Sequence, residues 1–199
     1  MQLEFNGGIH MTVEDIFAEL NAHMIQGLMV HNQMANYYGF LGLKGYSKCH
    51  LYHYWMEGKC HVKLMEYYFK YHNKLIKEMP VEDPRIIPKT WYNYEMKDVD
   101  PATKKNAVKT GLEKWIEWEE NTVKLFRKAH TDLIALGEIE DANYIMTLLE
   151  ETREELSEVK YWYMIKVSQD FEIKSIFAEQ DKKMHKYKKK IHKHCCCCE

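Results

Sequence analysis

The sequence predicts an all-α protein: a four-helix bundle with a long crossover between its second and third helices and a basic C-terminal extension. Composition and the placement of helix breakers predict it. Of the 199 residues 46% are apolar and 13% aromatic, enough for a sizeable core in one domain. Only nine glycines and four prolines interrupt the chain. Pro80, Pro84 and Pro88 cluster and the fourth is Pro101, so long stretches on either side are free to be helical.

Residues 1–12 read as a lead-in, 13–175 as the bundle and 176–199 as a tail. Thr12 with Asp15 resembles a capping box, and the stripe Ile16, Leu20, Gly27, Met34, Tyr38 predicts a first helix over about 13–40. Gly42 and Gly45 mark a short turn. A second helix over about 47–78 puts Leu64, Tyr68, Tyr71 and Leu75 on its core face, with Pro80 ending it. The Pro-rich connection 79–100 is long for a compact domain, and crossing from one end of a bundle to the other would account for it. Asp100-Pro101 reads as an N-cap followed by proline at the first helical position. The third helix then runs to about 135, with Leu112, Ile116, Val123 and Phe126 inward, and Gly137 breaks it. A fourth helix starts near Glu138, carries Leu148, Val159 and Trp162, and is free to continue past 170. Two helices, a crossover and two more helices is the connectivity of ferritin-like bundles.

Charge and cysteine usage narrow the class. The N-terminal MQLEFNGGIH lacks a basic stretch followed by an apolar one and does not read as a signal peptide, and no run approaches the roughly 18 to 20 apolar residues a membrane span needs. Cys49 and Cys60 are isolated and Cys195 to Cys198 contiguous, unlike a secreted disulfide scaffold, so a reducing cytoplasm is expected. The net charge of −2 conceals +6 on residues 182–199, which leaves −8 on the remainder. An acidic body favours cations over nucleic acid, except at the tail.

The informative stretch is HLYHYWMEGKCH on the second helix. At about 100° per residue, His50, Glu57 and His61 fall within about 20° of one line, with His53 some 60° away. That line continues through Leu64, Tyr68 and Leu75, so these polar groups share the packing face. His23 and His31 flank Gly27 on the first helix, and Glu119 lies between Ile116 and Val123 on the third. Glu151 and Glu155 lie near the side of Leu148 on the fourth, with Glu154 at the edge. Burying ionised carboxylates costs several kcal/mol each unless they are paired or bind a cation. Imidazole and carboxylate from facing helices suit iron, manganese or zinc. The competing reading is a polar core satisfied by its own hydrogen bonds, with fourteen tyrosines at hand.

Over about residues 13–165 the chain resembles the ferritin superfamily, which includes ferritins and smaller DNA-protecting members. The stretches that carry the likeness are LNAHMIQGLMVHNQMANYYGFLGL, MEGKCHVKLMEYY and the acidic run from GLEKWIEWEE to LLEETREEL. The resemblance implies that His61 matches the second-helix histidine ligand and Glu119 the third-helix glutamate. Glu151, Glu154 and Glu155 fall on the fourth-helix acidic cluster. Two ligand positions differ: the first-helix glutamate is Gly27, and the second-helix glutamate is Gly58 with Glu57 one place before it. The expectation is iron binding, as one ion or a pair, at a rearranged site built from His31, Glu57, His61, Glu119, Glu151 and Glu154. Manganese and zinc are alternatives, and ferroxidase-type oxidation and storage is the implied activity. A structural or assembly protein on a degenerate scaffold is the competing class.

The tail DKKMHKYKKKIHKHCCCCE admits metal capture by His and Cys, nucleic-acid contact through lysine, a lipid-modified membrane contact, or a solvated helix end. A nucleic-acid-protecting shell is therefore a third reading. Expected partners are further copies of the chain, metal ions and, through the tail, nucleic acid.

Overall fold

A computed structural model describes residues 11–84 and 99–195, with side chains as far as Lys189. Among the described residues it is all-α, with five helices and no strand. They are α1 (Val13–Phe40), α2 (Lys44–His72), α3 (Pro101–Leu136), α4 (Ile139–Ser168) and α5 (Ile173–Cys195).

The helix starts follow local chemistry. Thr12 Oγ1 accepts from Asp15 N at 3.2 Å while Asp15 Oδ2 accepts from Thr12 N at 3.3 Å, so the capping box is complete. Asp100 Oδ1 accepts from Thr103 N at 2.6 Å ahead of Pro101. Gly137, at φ 84°, closes α3 in the left-handed conformation that costs glycine least.

Two expected boundaries move. The second helix ends at His72, not 78, because Asn73 takes a left-handed φ of 53° and donates its N–H to Phe69 O. Leu75 therefore lies beyond the helix and Tyr71 on its outer face, and both are exposed rather than in the core. The fourth helix does not run on past 170. Asp170 and Phe171 take positive φ, the chain reverses, and Phe171 buries as an anchor before α5 begins. The segment expected as a tail is helical as far as Cys195 and packs on α2.

α1 and α2 form one antiparallel hairpin, as the contacts Phe17–Tyr68, His31–His50 and Tyr38–Tyr46 show. α3 and α4 form a second, aligned by Glu120–Lys160 and Tyr163–Glu113. Contacts Lys128–Glu19 and His31–Trp115 set α1 antiparallel to α3, while Tyr67–Asp141 and His53–Glu155 set α2 antiparallel to α4. α2 and α3 are therefore parallel, and the connection between them must span the helix length. Its described start runs back along α1, where Gln26 donates to Glu82 O at 3.2 Å and Gln33 to Asp83 Oδ1 at 2.7 Å. Residues 85–98 of the expected crossover, with Trp91, lie outside the described residues, as do residues 1–10 and Cys196 to Cys198.

The core is double. One apolar cluster includes Phe17, Leu20, Leu64, Tyr68, Phe126 and Leu133. The other includes Met34, Tyr38, Leu43, Leu112, Val159 and Tyr187. Between them lies a layer of polar side chains.

The second cluster is held by two close approaches. A methyl group at Gly111 of α3 would overlap the buried Tyr38 hydroxyl of α1. Gly111→Ala should therefore cost about 1–3 kcal/mol, read as a lower urea midpoint at unchanged m-value. At Gly45 of α2 an added carbon would overlap the Gln180 backbone of α5. Beside that contact, Lys166 and Lys183, both nearly fully buried, share the Glu179 carboxylate, and Lys183 Nζ sits 3.0 Å from the Trp162 ring centre.

Candidate metal centre

The polar layer draws side chains from all of α1 to α4. His31 descends from α1 and is 0% exposed. α2 contributes His50, His53 and Glu57, one helical turn or less apart along one side. α3 contributes Trp115 and, four residues on, the buried Glu119; α4 contributes the half-buried Glu155.

Their contacts are short and specific. His31 Nδ1 lies 3.0 Å from His50 Nδ1, a geometry in which one imidazole donates and the other accepts. Burial, and secondarily the charge on His53, pushes His31 down to about 3. His50 is likewise held well below the usual imidazole range by burial and its two histidine neighbours. His53 behaves oppositely. Burial disfavours its charge, but Glu155 Oε1 at 2.7 Å from Nδ1 outweighs it and raises His53, so the pair is ionic. Burial also opposes ionisation of Glu155, and His53 overcomes it.

Two more carboxyls complete the layer. Trp115 Nε1 donates to Glu119 Oε1 at 3.0 Å. Burial, with Glu155 and Glu57 adding repulsion, lifts Glu119 well above the carboxylate range. Glu57 is pushed up to about 8 by burial and then by Glu155. Its carboxylate crosses to α1, where a Cβ on Gly27 would stand 3.1 Å from Oε2. The glycine at the first-helix ligand position and the displaced glutamate on the second helix are thus complementary: the carboxylate occupies the space the glycine leaves.

One donor atom each from His31, His53 and Glu155 lies within 4.8 Å of the others, and the three could hold a metal ion. Among the described residues His31 Nε2 and His53 Nε2 have no hydrogen-bond partner although both are buried. The His53–Glu155 pair balances itself, so Glu57 and Glu119 are left without a compensating cation; a divalent ion is the charge that would let both ionise. A cavity of about 420 Å³ opens from this point to the surface, lined by His53, Glu57, Glu119 and Glu155 at its inner end.

Of the residues expected from sequence, the fold brings His31, Glu57 and Glu119 together. Glu151 and Glu154 are exposed on the cavity rim. His61 is elsewhere: its Nε2 lies 2.8 Å from Asn21 Oδ1, half-buried and away from the cavity wall. His23 hydrogen-bonds Thr122 at 2.7 Å and stacks on Trp118. Sequence reasoning did not place His53 or Glu155 among the ligands. His53 precedes Glu57 by four residues and Glu155 follows Glu151 by four, spacings that put each on the same helix face and could have flagged them.

No helix among the described residues is long and apolar enough to cross a membrane. Comparison of the chain with protein-family models, with characterised proteins and with solved structures finds no match.

Proposed function

We propose that this chain is a ferritin-like protein that binds iron in the polar layer between its two apolar clusters, with manganese or zinc as alternatives. One observation carries the reading. Carboxyls and imidazoles from four helices converge in a buried layer in which Glu155 is paired with His53 while Glu57 and Glu119 have no cation of their own among the described residues. The parallel setting of α2 and α3, joined by a long connection, supports the same scaffold. So does the placing of Glu57 in the space beside Gly27.

The donor set fits the group, since two buried ring nitrogens lack partners and nitrogen with oxygen donors suits these metals. His31, His53 and Glu155 would hold the ion, and Glu57 and Glu119 would bring the balancing charge. Bound iron would supply redox chemistry. Trp115 orients Glu119, His50 orients His31 through the Nδ1 contact, and the apolar clusters above and below exclude water.

A non-catalytic scaffold is the second reading, and one observation favours it. The His53–Glu155 pair and the Trp115–Glu119 hydrogen bond already give two carboxyls protein partners. Elemental analysis after anaerobic loading with Fe(II), Mn(II) or Zn(II) separates the two. The His53→Ala, Glu155→Ala double variant should lose bound metal by at least tenfold with its helical circular dichroism intact, and His61→Ala should keep it. Equal metal content in the wild type and the double variant would overturn the proposal.

A further inference from the structure

The cavity beside the donors is larger than an ion needs. A water molecule's share of liquid volume is about 30 Å³, so a site for one or two ions and their waters would fill a modest part of the 420 Å³ found. Chambers of roughly 300–1,000 Å³ are the size of small-molecule sites.

Its wall chemistry points the same way. Most of the lining surface is apolar: Met24, Met56, Phe126 and Leu148 contribute from four different helices, with the stacked His23–Trp118 pair also in the wall and Thr122 and Thr152 as neutral polar neighbours. Apolar walls of this kind neither ligate a hydrated cation nor hold water well. Of the ionisable groups in the lining, Glu57 and Glu119 are among the least exposed. The rim carries Glu151, Glu154 and Glu158 against Lys59 and Lys63, so it offers no net attraction to an anion.

We propose that this space is the binding chamber for a small uncharged organic molecule, with an apolar body against the methionines and one hydroxyl-type end at Glu57 and Glu119. It deepens the metal reading, on which it rests for what is done to the molecule, though not for binding itself. An anionic analogue is disfavoured: its carboxylate would be desolvated beside Glu57, Glu119 and Glu155, where the His53 cation is already paired with Glu155.

Benzyl alcohol and benzoate test this as a pair, since they match in size and differ in charge. Protein carrying ¹³C-methyl methionine is titrated with each, metal-free and after Zn(II) loading, and the Met24 and Met56 ε-methyl resonances are followed. Benzyl alcohol should shift both methyls saturably at millimolar concentration, with benzoate at least tenfold weaker. Met56→Trp should fill the chamber and abolish the Met24 shift. Should that variant misfold by circular dichroism, Thr152→Trp fills the same space from α4. Absence of shifts to the solubility limit, shifts that persist in a folded filled variant, or benzoate binding the metal-free protein as tightly as the alcohol would each overturn the proposal. The metal-free arm keeps it apart from the metal reading: saturable methyl shifts in a protein that takes up no metal sustain the chamber while the metal centre fails.

Discussion

Glu57→Gln should make the metal-free protein more stable while weakening its hold on metal at least tenfold. A carboxyl whose pKa is raised on folding contributes its stability in full below its ordinary value near 4.5 and loses it as pH rises through the folded value, here about 8. The wild-type protein without metal should therefore lose stability between about pH 4.5 and 8. At pH 7 that deficit is about 3 kcal/mol by linkage, and about 2 kcal/mol once the partial exposure of the side chain is discounted. Glutamine keeps the shape and cannot ionise, so the variant should recover that amount and show a flatter profile. Urea midpoints measured across this range in the presence of chelator check it. A variant less stable than the wild type at pH 7 would mean that the carboxylate is already compensated by the protein.

Gly45→Val should detach α5. The new side chain would overlap the Gln180 carbonyl and α-carbon, which are backbone and cannot rotate aside. Moving the helix away opens Tyr187 and Ile176 to water, strips Glu179 of α5 from Lys166 of α4, and lifts Lys183 off the Trp162 ring. Separating buried charges from their partner costs about 3–5 kcal/mol, with the lost apolar burial in addition. α5 is rich in lysine, so brief trypsin treatment reads the result directly. The variant should be cut within α5 at enzyme levels that leave the wild-type helix whole, and its unfolding midpoint should fall. A variant cut no faster than the wild type would show that the two backbones can part without loss.

Helix starts were legible because capping is local: Thr12 with Asp15, and Asp100 with Pro101, carry their hydrogen-bond partners within three residues. The reversal at Asp170 and Phe171 was not: a lone Asp is a weak turn signal, and Phe171, which is no turn former, takes its left-handed backbone where its side chain buries. Asn73 is a similar case, eclipsed in the sequence by the louder signal of Pro80. The site divides along the same line. Helical periodicity gives the angle of a side chain about its axis, which is why His31, Glu57 and Glu119 could be read as facing inward, where the fold has them. It does not give height. His61 shares the face of Glu57 but lies a turn further along, level with Asn21, so it meets the amide instead of the cluster. Height is fixed by how far one helix slides along another, and here close approaches such as Gly111 against Tyr38 set it. Each of those is a pairing between distant residues that no single segment announces.

The division of donors between the two hairpins has a mechanical consequence. His31, His53 and Glu57 arrive on the first, Glu119 and Glu155 on the second, and neither holds a complete set. An ion lodged among them would act as a rivet between two halves joined otherwise by apolar packing and a few side-chain pairs such as Lys128–Glu19 and Tyr67–Asp141. Its removal would loosen the seam before it loosened either hairpin, so exchange of the Trp115 indole N–H, which is held by Glu119, would report the parting first.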